Sequence, residues 1–306
     1  MAQRAAARKR PVEYSILYTA TLCLLAGGAV MVYSASSAES LLSGSGDASF
    51  YLKRYVVLGL LGLVEMHFAS RHGMKVIRGL APMLLVASFG LTVLVMIPGF
   101  GVTVNGATRW LGAGPLQFQP SELLKVSLIL YAAQLLAARP ASVLSIGGLV
   151  KPLLLVVGAA CALLMKQPDM GTTMVICFAV GALLLAAGTP IRLLGGIFGV
   201  LTALATLMAI VEPYRRERLT SFLDPFSDAG DSGFQAVQAL TAIGSGGFFG
   251  VGLGESVQKI FYLPEAHTDM ILAIIGEELG LIGILGAISL YGICLLYTSP
   301  SPRDRS

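Results

Sequence analysis

The sequence predicts an all-α polytopic membrane protein: a single helical bundle of about eight spans, with one large extracytoplasmic loop between the seventh and eighth. Three observations carry that expectation. Hydrophobic residues make up 55% of the 306 and charged residues only 12%, where soluble domains carry about 25% charged. Mean hydropathy is +0.78. Apolar stretches close to the roughly 20 residues of a bilayer span recur at 15–34, 52–69, 79–97, 121–138, 148–165, 169–187, 190–211 and 269–292. An isolated strand cannot satisfy its backbone in lipid, so each stretch reads as a helix.

The first stretch follows "MAQRAAARKR" and could mimic a signal peptide. It is longer than the roughly 7–15 residues of such a peptide's apolar region, so it reads as an uncleaved first span. Orientation follows from the basic residues of the short connections. Arg4, Arg8, Lys9 and Arg10, then Arg71, Lys75 and Arg78, then Arg139, Lys151 and Arg192, share one face if the N-terminus is cytoplasmic. The outer face then receives 35–51, 98–120, the turn "KQPDMGT" (166–172) and the long segment 212–268. The expected organisation is one transmembrane domain over 1–296 and a non-native or disordered tail over 297–306, whose "YTSPSPRDRS" is rich in Ser, Pro and Arg. Cys23, Cys161, Cys177 and Cys294 sit inside apolar runs without a CxxC pair and read as small hydrophobes, with no disulfide or metal cluster.

The outer segments hold the polar motifs. In "NGATRWLGAGPLQFQPSELLK" (105–125), Asn105-Gly106 is turn chemistry, and Pro120, Ser121 and Glu122 suit a helix start. Trp110, the only tryptophan, is either an interfacial anchor or, beside Arg109, a face for a sugar ring or lipid headgroup. Lys125 either snorkels to the headgroups or needs an anionic partner such as Glu122 or a bound phosphate. Asp169 pairs locally with Lys166 or holds a cation. "YRRERL" places Arg215, Arg216 and Arg218 on the side the charge rule disfavours. A long loop is exempt from that rule, and arginine forks also suit phosphate oxygens. "GSGGFFGVGLG" (244–254) lacks the βαβ context of a phosphate loop and reads as flexible re-entrant or interfacial structure. No nucleic-acid partner is expected.

"LPEAHTDMILAIIGEELG" (263–280) gathers ionisable groups at the mouth of the last span. Pro264 is expected to start the helix, with Glu265 in its first turn and His267 and Asp269 near the water boundary. Glu277 and Glu278 lie about 12 Å deeper, at 1.5 Å per residue, and are either functional or part of a polar network joining helices. Asp269 is expected to be partly desolvated, which raises a carboxylate from about 3.9 and suits it to take a proton from an attacking hydroxyl. An outward-facing site with arginines, one tryptophan and several acids fits a lipid-linked, anionic, sugar-bearing substrate.

These motifs, "NGATRWL", "FQPSELLK", "PDMGT", "RRERLTSFLDPFSD", "GSGGFFGVGLGESVQK" and "LPEAHTDMILAIIGEELG", resemble the SEDS family of shape, elongation, division and sporulation proteins over roughly residues 12–294. The resemblance implies a peptidoglycan glycosyltransferase of the bacterial inner membrane that polymerises lipid II on an undecaprenyl diphosphate carrier. It implies that Asp269 is the general base that activates the acceptor's 4-hydroxyl, giving an inverted, β-1,4 product. Arg109, Lys125, Arg215, Arg216 and Arg218 then face the diphosphate, Trp110, Glu122 and His267 shape the substrate groove, and Asp169 and Glu277 hold a cation or serve the structure. No bound cofactor is implied beyond a divalent cation, Mg or Mn, whose identity stays open. The implied partners are a class B penicillin-binding transpeptidase and other division proteins, the motifs favouring division over elongation. Family members usually carry ten spans, two more than this sequence shows. Two other readings stay open: a lipid II flippase, with Glu65, Lys125, Glu277 and Glu278 as entries to a polar path, and a non-enzymatic scaffold of the division machinery.

Overall fold

The structure, a computed structural model, describes residues 12–43, 46–104, 106–113, 116–211, 224–231 and 233–298. Every one of the eight apolar stretches falls on a helix. The first is α1 (Val12–Ser43). The second and third share α2 (Phe50–Val95), which leaves helical geometry at Gly73, where φ is 70° and glycine alone lacks the Cβ that opposes it. The sequence predicts a connection over 70–78; the structure makes it with that one residue. Among the described residues four stretches, Val12–Leu42, Val76–Val95, Pro120–Ala138 and Ile271–Thr298, are long and apolar enough to cross a membrane, and three shorter apolar helices accompany them.

The contacts divide the chain into two compact units, one of Met1–Leu63 with Ala209–Ser306 and one of Val64–Met208, each taken here over its described residues. In the second unit, α3 (Pro120–Ala138) starts at the expected Pro120. A short helix α4 (Ile146–Leu149) and a π-turn (Val150–Leu154) lead into α5 (Leu155–Lys166), followed by α6 (Met170–Ala186) and α7 (Ile191–Val211). Leu124, Leu128, Ala132 and Leu136 recur every fourth residue of α3, so they share one face. They pack against Ile176, Val180 and Leu184, spaced the same way on α6, and against Val157, Ala160 and Leu164 of α5. The opposite faces expose large apolar side chains such as Val126, Leu155 and Phe178. This is the arrangement a helix needs when its outer solvent is lipid.

The sequence led to helices alone, but a three-stranded antiparallel sheet fills the connection before α3: β1 (Gly101–Val104), β2 (Ala107–Ala113) and β3 (Leu116–Phe118). Val104 pairs with Ala107, and Gly106 just before it holds the positive φ of 76° that a tight turn asks of glycine. Strands this short show too little alternation to be read from sequence.

The first unit holds α1, α8 (Phe234–Gly246) and α9 (Ile271–Thr298). Met31 and Ala35 of α1, Ala242 of α8, Leu263 and Ala266 of the connecting loop, and Ala273 and Ile274 of α9 form its apolar core. The last expected span is one apolar run, but α9 is interrupted at Gly280 (φ 67°). The break frees backbone groups that lipid cannot satisfy, and the glycine-rich loop satisfies them. Val251 and Gly252 donate to the carbonyls of Glu277 and Glu278 (2.9 and 3.1 Å), while Leu281 and Ile282 donate to those of Gly247 and Phe248 (2.9 and 3.3 Å). A Cβ on Gly250 would collide with the Glu278 carbonyl, and one on Gly246 with the Gly276 carbonyl. The loop expected to be flexible is therefore pinned, and two of its glycines, Gly246 and Gly250, are there for close approach.

Candidate active site

In the second unit, the expected polar residues gather around the turn between α5 and α6. Asp169 is buried and caps α6: its Oδ1 accepts from the Thr172 N–H (3.1 Å) and its Oδ2 from the Gln119 amide (3.2 Å). A carboxylate there also meets the positive end of the helix dipole. The Arg109 guanidinium donates to the carbonyls of Gln167 (2.9 Å) and Pro168, fastening β2 to the same turn. Gln167 in turn donates to the Thr92 carbonyl (2.9 Å). Arg109 and Trp110 are successive strand residues, so their side chains project to opposite faces of the sheet. The sequence reading placed the two side by side toward a substrate, and the pleat separates them. Lys125 pairs with Glu122 at 2.8 Å near the start of α3, one of the readings open for it.

In the first unit, "LPEAHTD" does not open a helix. The helix begins at Ile271, and 264–270 form turns. Glu265 has φ 55°, outside the helical region, and its carbonyl accepts from Thr268 and Met270 instead (3.2 and 3.1 Å). Gln235 of α8 donates to the Pro264 carbonyl (3.3 Å), holding the turn from the other side. His267, expected to meet substrate, is buried. Its ring lies against Tyr51 with centroids 4.2 Å apart, and its Nδ1 stands 3.2 Å from Glu39 Oε2, off the line of a hydrogen bond. It packs the turn from within.

Asp269 is the exception. Its side chain is exposed, and among the described residues no hydrogen bond or ion pair engages its carboxylate. Among the described residues nothing supplies the desolvation expected from sequence. Three acids of the turn and of the helix after it, Glu265, Glu277 and Glu278, are tied. Glu265 accepts from the Thr268 hydroxyl (2.8 Å). Glu277 accepts from the Ser256 hydroxyl (2.5 Å) and the Val257 N–H (3.1 Å). Glu278 accepts from Lys259 Nζ (2.7 Å) and the Ser34 hydroxyl (2.7 Å). Lys259 spends its remaining donors on the Gly254 carbonyl (2.7 Å) and Ser34 Oγ (3.0 Å). Both members are buried, with 7% of the Lys259 side chain and none of the Glu278 side chain exposed. Glu277 and Glu278 thus belong to a network joining helix to loop, one of the two readings open for them. Sequence reasoning missed Lys259, Ser256 and Ser34. The one available signal was Lys259 itself, a cation five residues past a glycine-rich run and ahead of two acids in an apolar span. Arg215, Arg216 and Arg218 lie outside the described residues.

A sequence model of the FtsW, RodA and SpoVE group, described as cell cycle protein, matches residues 15–299. The chain belongs to this family. Among its curated members, "Probable peptidoglycan glycosyltransferase FtsW" of Thioalkalivibrio sulfidiphilus is 45% identical over 278 residues, 90% of this chain and 69% of that protein. The protein of the same name from Legionella pneumophila is 41% identical over 299 residues, covering 94% and 75%. Among solved structures, one described as "Structural coordination of polymerization and crosslinking by a peptidoglycan synthase complex" aligns with TM-score 0.70 at 32% identity, over 92% of this chain and 75% of that one. The rod shape determining protein RodA of Thermus thermophilus aligns with TM-score 0.56 at 27% identity, over 92% and 72%. This SEDS protein is accordingly a multi-pass membrane protein with the family's helical fold.

Proposed function

We infer that the chain is a peptidoglycan glycosyltransferase that polymerises lipid II during bacterial cell division, with Asp269 as its general base. The relatives' names and the match to a peptidoglycan synthase complex support the activity. The observation that carries the chemistry is the placement of Asp269: an exposed carboxylate, unpaired among the described residues, on a turn anchored from several directions, while Glu265, Glu277 and Glu278 are bound.

The step balances simply. Asp269 takes the proton of the acceptor sugar's 4-hydroxyl, and the freed electron pair forms a bond to the donor's anomeric carbon. The bond from that carbon to the diphosphate oxygen breaks on the opposite side, and the lipid diphosphate leaves with its electrons. Inversion at that carbon gives the β-1,4 link. Because the described residues leave Asp269 exposed, the bound substrate is the proposed means of excluding water from the carboxylate.

Among the described residues no group of three or more His, Cys, Asp and Glu could hold a metal ion, and both oxygens of Asp169 already accept hydrogen bonds. The described residues therefore offer no preformed cage for Mg or Mn, and no step is assigned to such an ion. Arg215, Arg216 and Arg218 stay the proposed partners of the diphosphate. We propose, from the basic residues of the short connections and the family's character, a cytoplasmic N-terminus, a catalytic turn on the outer face of the cytoplasmic membrane and a class B penicillin-binding transpeptidase as the cross-linking partner. The flippase alternative loses support, because two of its path residues, Glu277 and Glu278, are committed to fixed bonds.

Fluorescent lipid II given to the purified protein with its transpeptidase tests the reading: glycan polymer is expected, and its absence from a demonstrably assembled complex overturns it.

A further inference from the structure

We propose that Lys259 and Glu278 are positioning residues for Asp269, forming a buried clamp that holds the Asp269 turn in reactive register. The proposal rests on the glycosyltransferase reading above. The 2.7 Å bond from Lys259 Nζ to Glu278 joins residues 19 apart, and the chain between them carries Asp269. The bonds from Ser256 and Val257 to Glu277 close nearly the same loop one residue earlier on α9. Asp269 therefore sits in a ring of chain shut at its base. Ser34 of α1 fixes that base in turn, donating to Glu278 and accepting from Lys259.

The choice of an ion pair is informative. Well-packed apolar residues of similar volume are often as stabilising as a buried pair, so stability alone does not call for one here. What a pair with all three ammonium donors used supplies is fixed direction. The ring has use for it: Phe261 and Glu265 hold φ values of 62° and 55°, a backbone state that non-glycine residues keep only when their surroundings over-determine it. Leu263 and Ala266 of the same ring are buried in the unit's core. All this ordering ends at a carboxylate that makes no bond of its own among the described residues.

The test compares Glu278→Gln and Lys259→Met with wild type, each quantified as folded protein by size-exclusion chromatography and assayed for polymerisation of fluorescent lipid II. A misplacement of about 1 Å costs a reacting group about 100-fold, so kcat per folded molecule is expected to fall by about that factor. KM is expected to stay within about twofold, because the loss lies in the transition state. Loss of folded protein with normal kcat in the remainder would make the pair purely structural and overturn the proposal. Should either single variant fail to fold, Lys259→Met/Glu278→Met leaves no unpaired buried charge, and the same loss of kcat is expected of it; wild-type kcat there overturns the proposal equally. Wild-type protein that makes no polymer removes the underlying reading, whereas wild-type polymer with unimpaired folded variants removes only the clamp.

Discussion

Two aspartates, Asp169 and Asp269, each stand just ahead of an apolar helix, and their surroundings differ in kind. Asp169 is buried and accepts from Thr172 and Gln119; Asp269 is exposed and, among the described residues, bound to nothing. The ordering around Asp169 is spent on Asp169 itself. The ordering around Asp269 is spent on its neighbours, through Gln235, Lys259, Glu277 and Glu278. An acid that closes its own network is part of the scaffold, and an acid left open on a rigid support is available for chemistry.

The comparison can be broken in several ways. The largest expected effect is on turnover: Asp269→Asn should lower polymerisation by about 10²–10⁴-fold, the range of a general base, with an unchanged melting temperature. Next, Glu278→Leu alone should destabilise the protein by about 3–5 kcal/mol, since it leaves the buried Lys259 charge unpaired; thermal unfolding in detergent reads this, and adding Lys259→Met should recover most of it. Gly280→Ala, at φ 67° against the backbone of the 247–252 loop, should cost about 1–3 kcal/mol in the same measurement. Asp169→Ala should cost about 0.5–2 kcal/mol, as loss of a helix cap, with turnover per folded molecule retained. The smallest effect is at Asp47, whose carboxyl the Lys53 ammonium and Ser49 hold below the usual carboxylate range. Its contribution is present above the unfolded value and lost as pH falls through the folded one. Its side chain is solvent-accessible, so Asp47→Asn should leave the melting temperature near wild type at neutral pH and shrink only the acid-side loss of stability.

Much of this was legible in the sequence. Each apolar run became a helix because length and hydropathy are local properties, and Pro120 began α3 because its missing N–H costs nothing there. Asp269 stood out for the same reason, as an acid at the edge of an apolar run. What sequence could not show depends on distant partners. Ser34 and Glu278 are 244 residues apart, and Gln167 reaches Thr92 across 75. The break at Gly280 is tolerable only because the 247–252 loop supplies donors and acceptors to its freed backbone. The family resemblance implied a place in the substrate groove for His267; the structure buries its ring against Tyr51, a partner far along the chain that sequence could not name. Arg109 and Trp110 looked like neighbours until a strand placed them on opposite faces.

The most direct measurement is the polymerisation of fluorescent lipid II by wild type, Asp269→Asn and Asp169→Asn, side by side at equal amounts of folded protein with the transpeptidase present. Polymer from wild type and Asp169→Asn, with almost none from Asp269→Asn, is the result expected of an open base and a closed cap. Polymer from Asp269→Asn at the wild-type rate would contradict the account at its centre.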